Sequence, residues 1–363
     1  MPEQHRFKTS ASVLSRQITS RNGTARLYHS AGGWTDNGID LIKTNKKMGN
    51  PLKSGVFHVK YFAEKHLDHL RKMEVIMLKF LLISDTHIGN ESPGYFHQQT
   101  VRKLDFLLPA LQNYIQREKI DLICHAGDII DDGSPEQMTE AARLFRQLPC
   151  PVYATPGNHD LLKPSAEILL PKHLPELFPD GKVDYFIIRD GVRFDFLTTN
   201  WFPGTPYRWQ WTWPVRQESY FTGQQMALLK EGPQDLPRIL ITHSPSAGVP
   251  VGQTGLDQEF HAPDESLAQT LSELAEQLKI RLFLGGHTHV NMAVDDGRMA
   301  AVTVSSLREL PFELKVFEIN QGHVSMQTVS LTNEGADSFG CQYNYNKTFV
   351  QGRLCDRRLE FTF

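Results

Sequence analysis

Five short polar motifs stand along this 363-residue chain, each directly after an apolar run. They carry Asp, His and Asn side chains, whose oxygen and nitrogen atoms suit divalent ions such as Mn, Fe and Zn, and they offer no thiolate. In chain order they are Asp85-Thr86-His87, Gly127-Asp128, Gly157-Asn158-His159-Asp160, Thr242-His243-Ser244 and Gly286-His287-Thr288-His289. A single His after a strand is most often a core or capping residue, so the prediction of a metal site depends on all five motifs together.

Asp128 is the residue in this set that could join two metal ions. Its carboxylate has two oxygens and can bridge two cations roughly 3.5–4 Å apart, the separation in two-metal phosphoesterases. Such a pair lowers the pKa of a bridging water, so that hydroxide is available to attack a phosphate ester, and it offsets charge that builds on the phosphate oxygens. His159, beside Asn158, could contact the phosphate or protonate the leaving oxygen.

The segments between the motifs predict an α/β fold. The apolar run at 79–83 is typical of a strand buried on both faces. Further strands are predicted at 121–124 and 151–154, with helices at 99–117 and 136–147. This alternation predicts a parallel sheet with right-handed crossovers, and α/β folds bind their ligands at the carboxyl ends of such strands. We therefore expect the five motifs to converge there.

The later part of the chain is richer in strands. Strands are predicted at 185–188, 192–197, 238–242, 281–284, 299–304, 313–319 and 323–330, and helices at 223–230 and 264–278. Several consecutive strands near the end of the chain suggest an antiparallel second sheet that packs on the first.

The ordered motifs, Asp-x-His, Gly-Asp, Gly-Asn-His-Asp, His and Gly-His-x-His, resemble those of the calcineurin-like metallophosphoesterase superfamily over residues 79–330. The resemblance implies an α/β fold of four layers, αββα, in which two mixed sheets are flanked by helices. It implies a first divalent metal ion bound by Asp85, His87, Asp128 and His289. It implies a second bound by Asp128, Asn158, His243 and His287. His159 matches the catalytic histidine of the superfamily.

Departures from the sequence patterns of the superfamily narrow the range of expected substrates. Its protein phosphatases follow Gly-Asp with Asp-Arg-Gly, whereas Asp132 stands here in the place of that Arg. The absence of this Arg disfavours binding of a dianionic monoester, because Arg binds phosphate through two hydrogen bonds at once. The Gln-containing helix before His243 resembles bacterial cyclic-nucleotide phosphodiesterases. We therefore predict a phosphodiesterase for a small nucleotide-like diester. We interpret Asp131 and Asp132 as solvated acids, and the alternative is that they contact and support the metal ligands.

Trp209, Trp211 and Trp213 alternate along an aromatic segment that ends shortly before the predicted helix at 223–230. Alternation places three indoles on one face of an extended segment, and aromatic rings stack on nucleobases. These residues are candidates for substrate binding. The alternative is that they pack against the sheet or against a partner.

Other functions of the same motif set stay open. A DNA or RNA exonuclease is disfavoured because residues 77–363 hold 25 Lys and Arg against 35 Asp and Glu, and binding of a nucleic-acid backbone needs cations. A promiscuous phosphomonoesterase remains an alternative. A non-catalytic scaffold is disfavoured because the full set of potential ligands is present. Oligomeric state and metal identity are not indicated by the sequence.

The ends of the chain differ from its middle. Residues 1–76 hold 13 Lys and Arg against 6 Asp and Glu, and we interpret them as a basic polar leader, disordered or not native, with Met77 as a natural start. A transit peptide is the alternative. The metallophosphoesterase domain is predicted at 77–330 and a tail at 331–363. Four cysteines without a Cys-x-x-Cys pair favour a reducing, cytoplasmic location, and no apolar run approaches the 18 residues of a membrane span.

Overall fold

The computed structural model describes residues 77–91, 104–163, 165–201, 219–334 and 347–363. These residues belong to one compact unit, Glu74–Phe363. The predicted leader at 1–76 lies outside the described residues, and so do Trp209, Trp211 and Trp213. Both predictions therefore stay predictions.

The described residues form strands and short helices in alternation. The strands are β1 (Met77–Ile83), β2 (Leu122–His125), β3 (Val152–Ala154), β4 (Tyr185–Arg189), β5 (Val192–Phe196), β6 (Asn200–Trp201), β7 (Ser219–Tyr220), β8 (Arg238–Ile241), β9 (Ile280–Gly285), β10 (Met292–Asp295), β11 (Ala300–Thr303), β12 (Glu313–Asn320), β13 (His323–Ser330) and β14 (Arg358–Thr362). The α-helices are α1 (Leu108–Glu118), α2 (Pro135–Phe145), α3 (Ala166–His173), α4 (Gly223–Leu228), α5 (Val251–Thr254), α6 (Glu265–Gln277) and α7 (Lys347–Gln351). Short 3₁₀ turns cover Leu104–Phe106, Pro179–Gly181, Leu331–Glu334 and Leu354–Arg357.

The first sheet has the strand order β14-β13-β12-β1-β2-β3. Strands β1, β2 and β3 are parallel, as predicted, whereas β12 to β14 are antiparallel additions. The expectation that the last strands form an antiparallel second sheet is wrong. Phe317 of β12 lies opposite Phe80 of β1, so these strands extend the first sheet. The residues predicted as a tail include β14, which pairs with β13.

The second sheet has the strand order β10-β11-β9-β8-β5-β4. Its inner strands β5, β8, β9 and β11 are parallel, and only the edge strands β4 and β10 run antiparallel to their neighbours. Both sheets are therefore mixed. Strand β10 was not predicted. It has only four residues and begins three positions after His289, the last residue of the fifth motif.

The core lies between the two sheets and under the helices. The ring of Phe80 in the first sheet meets that of Phe194 in the second at 5.2 Å, and it stacks on Phe317 at 4.8 Å. All three rings are fully buried, and each such side chain contributes roughly 1.5–3 kcal/mol through the hydrophobic effect. On the outer face of the second sheet, α6 packs through leucines at helical spacing, Leu267, Leu271 and Leu274. The four-layer αββα sandwich is confirmed.

The helices in the described ranges are short. The longest of them, α6, has 13 residues, whereas a membrane-spanning helix needs about 20. Within these ranges, no helix combines the length and the apolar composition needed to cross a bilayer.

Candidate metal centre

The five motifs lie at the carboxyl ends of parallel strands from both sheets. In the first sheet, Asp85 follows β1, Asp128 follows β2 and Asn158 follows β3. In the second sheet, His243 follows β8 and His287 follows β9. Because these strands are neighbours in each sheet, and the sheets pack face to face, the seven predicted metal ligands and His159 can meet in one place.

One group of ligand-type atoms comes from Asp85, His87 and His289. The Nε2 atoms of the two histidines lie 3.2 Å apart. Oδ1 of Asp85 lies 3.3 Å from Nε2 of His289 and 3.8 Å from Nε2 of His87. All three side chains are buried. A carboxylate oxygen and two imidazole nitrogens at these separations could hold one metal ion.

A second group comes from Asp128, Asn158, His243 and His287. Nε2 of His243 lies 3.2 Å from Oδ2 of Asp128 and 3.1 Å from Oδ1 of Asn158. Nδ1 of His287 lies 3.0 Å from the same amide oxygen and 3.3 Å from Nε2 of His243. The ionisable members of this group also satisfy the spacing of a metal site.

Asp128 faces both groups through one oxygen. Its Oδ2 lies 3.7 Å from Nε2 of His87 in the first group and 3.2 Å from Nε2 of His243 in the second. Its Oδ1 instead accepts the backbone N–H of His159 at 2.8 Å. The sequence suggested that each of the two oxygens could serve one ion, whereas the structure turns a single oxygen toward both groups.

Hydrogen-bond acceptors behind two of the histidines orient their rings. Each acceptor lies at Nδ1, which therefore carries an N–H, so that Nε2 is the nitrogen directed into the centre. The acceptors are the carbonyl of Ala126 for His243 (2.7 Å) and Glu309 Oε1 for His289 (2.5 Å). Oδ1 of Asp131 lies 3.3 Å from Nδ1 of His87. Oδ1 of Asp85 is buried and, among the described residues, accepts no hydrogen bond, which fits an oxygen that would bind a cation.

The ionisation of the centre reflects buried negative charge. Burial opposes a charge on His289, but Glu309 and Asp85 raise its pKa to about 10. Burial likewise opposes a charge on His243, but Asp128 raises its pKa to about 9. Burial also disfavours the Asp85 anion, but His289 lowers its pKa to about 2. The centre therefore stabilises positive charge at the position where metal ions would bind, and ions would displace these protons.

Five residues of the centre adopt left-handed backbone angles. The φ angles are 54° at Asp85, 39° at His87, 51° at Asp128, 68° at His287 and 55° at His289. A residue other than Gly is uncommon in this region, and each costs on the order of 1–3 kcal/mol. Such strain clusters at functional sites because the surrounding structure must enforce it. The backbone therefore aims these side chains into one point.

Two motif glycines permit the close approach of the loops. A Cβ at Gly157 would lie 2.2 Å from Oδ1 of Asp128, and one at Gly286 would lie 1.9 Å from Oγ of Ser84. Both distances are below any van der Waals contact, so a side chain at either position would push the loops apart. The Gly in these motifs is explained by packing between the loops.

Asp160, the last residue of the Gly-Asn-His-Asp motif, binds one loop to another. Its carboxylate accepts backbone N–H groups of Ile129 at 3.1 Å, Ile130 at 2.9 Å and Gly157 at 2.7 Å. The loop that carries Asp128 is thereby fixed to the loop that carries Asn158. Asp160 positions these side chains and does not itself face the metal groups.

His159 lies beside the first group, and with His87 and Asp131 it forms a further cluster with the spacing of metal ligands. Its Nδ1 lies 2.7 Å from the carbonyl oxygen of Asp131, and its ring meets that of His87 edge to face at 4.6 Å. The side chain is 8% exposed. Burial opposes its charge, but Asp128 and Asp131 raise its pKa to about 9. The imidazole is therefore held in its charged form at the edge of the first group.

Three further residues belong to the site. Asp131, interpreted from the sequence as solvated, contacts His87, whereas Asp132 is exposed and pairs with Lys163 at 3.3 Å. Glu309 was not predicted, because it lies 20 residues after its partner His289 and carries no motif. His261, in the loop after His243, contacts the ring of His287. The three glycines of that loop, Gly248, Gly252 and Gly255, are the kind of sequence signal that could have indicated a turn near the cleft.

A family model and two related proteins both indicate that this chain is a phosphoesterase. The family model for calcineurin-like phosphoesterases matches residues 78–291, more than half of the chain. A protein of Fibrobacter succinogenes named as a probable cyclic nucleotide phosphodiesterase is 24% identical over 246 residues, covering 68% of this chain and 86% of its own length. The 3′,5′-cyclic adenosine monophosphate phosphodiesterase of Haemophilus influenzae is 21% identical over 266 residues, covering 72% and 88%.

Among solved structures, the purple acid phosphatase PPD1 from yellow lupin (Lupinus luteus) seeds is 13% identical. The alignment covers 71% of this chain and 52% of that one, with a TM-score of 0.49.

Proposed function

The chain belongs to the calcineurin-like phosphoesterase family and is a metal-dependent hydrolase of phosphate esters, and from this premise we propose that it cleaves a small nucleotide-like phosphodiester. The proposal joins three features of the molecule. They are a centre for two ions, a histidine beside it, and the nearby carboxylates of Asp131 and Asp132.

The shared oxygen of Asp128 is the observation that carries the proposal. Oδ2 lies within 3.7 Å of ligand-type nitrogens in both groups, so one side chain can join two ions. A dinuclear centre suits ester hydrolysis because two ions can stabilise both the attacking and the leaving oxygens. A single-ion site would need no such shared atom.

The two groups assign the ligands that would hold the ions. Asp85, His87, Asp128 and His289 would hold the first ion. Asp128, Asn158, His243 and His287 would hold the second. When bound, the ions supply Lewis acidity and activate water for attack on phosphorus. Carboxylate, amide and imidazole donors accept Mn, Fe or Zn.

The chain's own residues would orient and protonate the ester. The loop contacts made by Asp160 hold Asp128 and Asn158 in place, so the ligands need not reorganise when substrate binds. His159 is directed by the carbonyl of Asp131 and stands at the edge of the centre. We assign it the transfer of a proton to the leaving oxygen.

The charge around the centre favours a diester over a monoester. Asp132, in the position of the phosphate-binding Arg of protein phosphatases, is exposed and pairs with Lys163. Asp131 adds a carboxylate beside His87 and His159. A diester has one negative charge and tolerates these acids better than a dianionic monoester does. The names of the two related phosphodiesterases support the same choice.

A rate comparison in the presence of Mn²⁺ tests the proposal. The substrates are cyclic nucleotides, an aryl phosphodiester, an aryl phosphomonoester and single-stranded DNA. We expect the highest kcat/KM for a small diester. A higher kcat/KM for the monoester would replace the proposal with a phosphomonoesterase, and processive digestion of DNA would replace it with an exonuclease. If protein with two bound ions hydrolysed none of these esters, a non-catalytic scaffold would be favoured. An Asp128→Ala preparation, purified in parallel, controls for contaminating phosphatase.

A further inference from the structure

His261 lies on the loop between α5 and α6 and touches the candidate metal centre. Its ring meets that of His287 at 5.0 Å between centroids, with the planes at 80°. On its other side, the ring meets that of the preceding residue, Phe260, at 4.4 Å and 79°. The imidazole is therefore placed between an apolar neighbour and a residue of the second metal group.

His261 lies beside the least buried of the metal-binding candidates. Of these candidates, His287 alone is only partly buried, and the others are buried. His261 is exposed and packs on the His287 ring. Among the described residues, the exposed edge of the second metal group is therefore next to the His261 imidazole. A phosphate ester bound to the second group at this edge would lie close to that imidazole.

The ring nitrogens of His261 are available to a ligand. In the part of the chain that the structure describes, its side chain makes ring contacts but no hydrogen bond. The other histidines of the centre differ, because His87, His159, His243 and His289 each direct Nδ1 at a protein oxygen. A neutral imidazole always offers one N–H donor and one acceptor.

The loop under His261 is firmly anchored. Backbone hydrogen bonds of 2.8 and 3.0 Å link Val249 with Phe260 in both directions. The ring of Phe260 packs on that of Phe349 in the C-terminal segment at 5.5 Å. Gln253 donates to the carbonyls of Asn291 at 2.8 Å and of Phe349 at 3.0 Å. Asn291 follows His289 by two residues, so the loop is bonded to the same segment that carries a candidate metal ligand. The position of the His261 imidazole is therefore fixed before substrate binds.

We propose that His261 is a substrate-contacting residue that donates a hydrogen bond from its imidazole N–H to an oxygen of the bound phosphoryl group. The inference rests on the proposed function, since it takes the second metal group as the place where the phosphate ester binds. His261 forms and breaks no covalent bond in this role. It adds one neutral donor at the exposed edge of the second metal group.

A pair of variants separates hydrogen bonding from packing. His261→Phe keeps an aromatic ring against His287 and Phe260 but has no N–H, whereas His261→Gln has an amide N–H and no ring. We expect His261→Phe to lower kcat/KM by about 10- to 100-fold, the usual effect of removing a hydrogen bond to a charged group. It should keep two bound Mn²⁺ ions and an unchanged melting temperature, and it should bind inorganic phosphate more weakly. His261→Gln should recover part of the lost kcat/KM.

Three outcomes would overturn the assignment. One is a His261→Phe protein with wild-type kcat/KM and wild-type phosphate affinity. Another is loss of metal ions from that variant, which would give His261 a structural role at His287. The third is a His261→Gln protein as impaired as His261→Phe.

The controls keep this test separate from the identity of the substrate. Activity ratios are measured on whichever aryl ester the wild-type protein hydrolyses faster, so a preference for monoesters would contradict the diester proposal and leave the test of His261 intact. Phosphate binding to the Mn²⁺-loaded protein, measured by calorimetry, gives a readout that needs no turnover. A wild-type protein that binds neither phosphate nor ester would remove both proposals.

Discussion

Nδ1 of His289 and Oε1 of Glu309 lie 2.5 Å apart, and both side chains are buried. The glutamate fixes the imidazole so that Nε2 faces Asp85 and His87, and its charge makes that nitrogen more basic. The contact joins the loop after β9 to the turn before β12, which are on different sheets. The geometry of the first metal group therefore depends on a residue from outside every motif.

Glu309→Gln should weaken metal binding at the first group. The amide keeps the size of the side chain but removes the charge behind His289, and loss of such a partner typically lowers metal affinity by about 10- to 100-fold. Titration of the metal-free protein with Mn²⁺ measures the effect. Glu318→Gln changes an exposed glutamate that pairs with Lys79 on β1, and it provides the matched control. Equal Mn²⁺ affinity in the wild-type protein and Glu309→Gln would contradict the prediction.

Asp128→Ala should abolish turnover and lower the metal content below two ions per chain. The substitution removes the oxygen that faces both groups, and neither His87 nor His243 can replace it. Metal analysis and ester hydrolysis are measured on the same preparation. Asp132→Ala, which removes a nearby exposed carboxylate, should leave both quantities unchanged. Full activity of Asp128→Ala with two bound ions would remove the dinuclear assignment.

His159→Ala should retain its metal ions and slow turnover by roughly 10²- to 10⁴-fold, the usual range for loss of a general acid. Its ring lies beside the first group, and its Nδ1 is directed at the carbonyl of Asp131. The defect should shrink for an aryl ester with an acidic leaving group, which needs less protonation. Unchanged turnover on esters with basic leaving groups would show that His159 has no chemical role.

Lys315→Met should change the pH dependence of stability. Burial lowers the pKa of Lys315 to about 7 in the folded protein, from 10.5 for a free side chain. Between these values the unfolded chain binds more protons, so the wild-type free energy of unfolding should rise with pH relative to the variant, by about 1.4 kcal/mol per unit. Below pH 7 both states are protonated, and the difference should be constant. Urea unfolding from pH 6 to 9.5 checks this, and parallel curves above pH 7.5 would refute it.

Deletion of residues 1–76 should leave hydrolysis of an aryl phosphodiester intact. The residues that form the two metal groups and their supports all follow Met77. The truncated protein is compared with the full chain for kcat/KM and melting temperature. A folded truncation that binds two ions but has no activity would place part of the enzyme in the deleted segment.

The sequence by itself determined the motifs, their order and the kind of strand that each follows. These are local properties, because a buried strand needs a continuous apolar run and a metal loop needs polar side chains directly after it. The parallel pairing of β1, β2 and β3 also followed from local alternation of strands and helices. The Asp, His and Asn residues of the two metal groups were therefore all identifiable before the fold was described.

Only the tertiary structure decided which distant residues support them. The pairing of β12 with β1 carries the last strands into the first sheet, and the turn before β12 brings Glu309 to His289. His261 reaches His287 because the C-terminal segment packs under its loop. Long-range strand pairing and loop packing leave no periodic signal in the chain. They depend on which surfaces bury one another, and that free energy is a property of the whole fold.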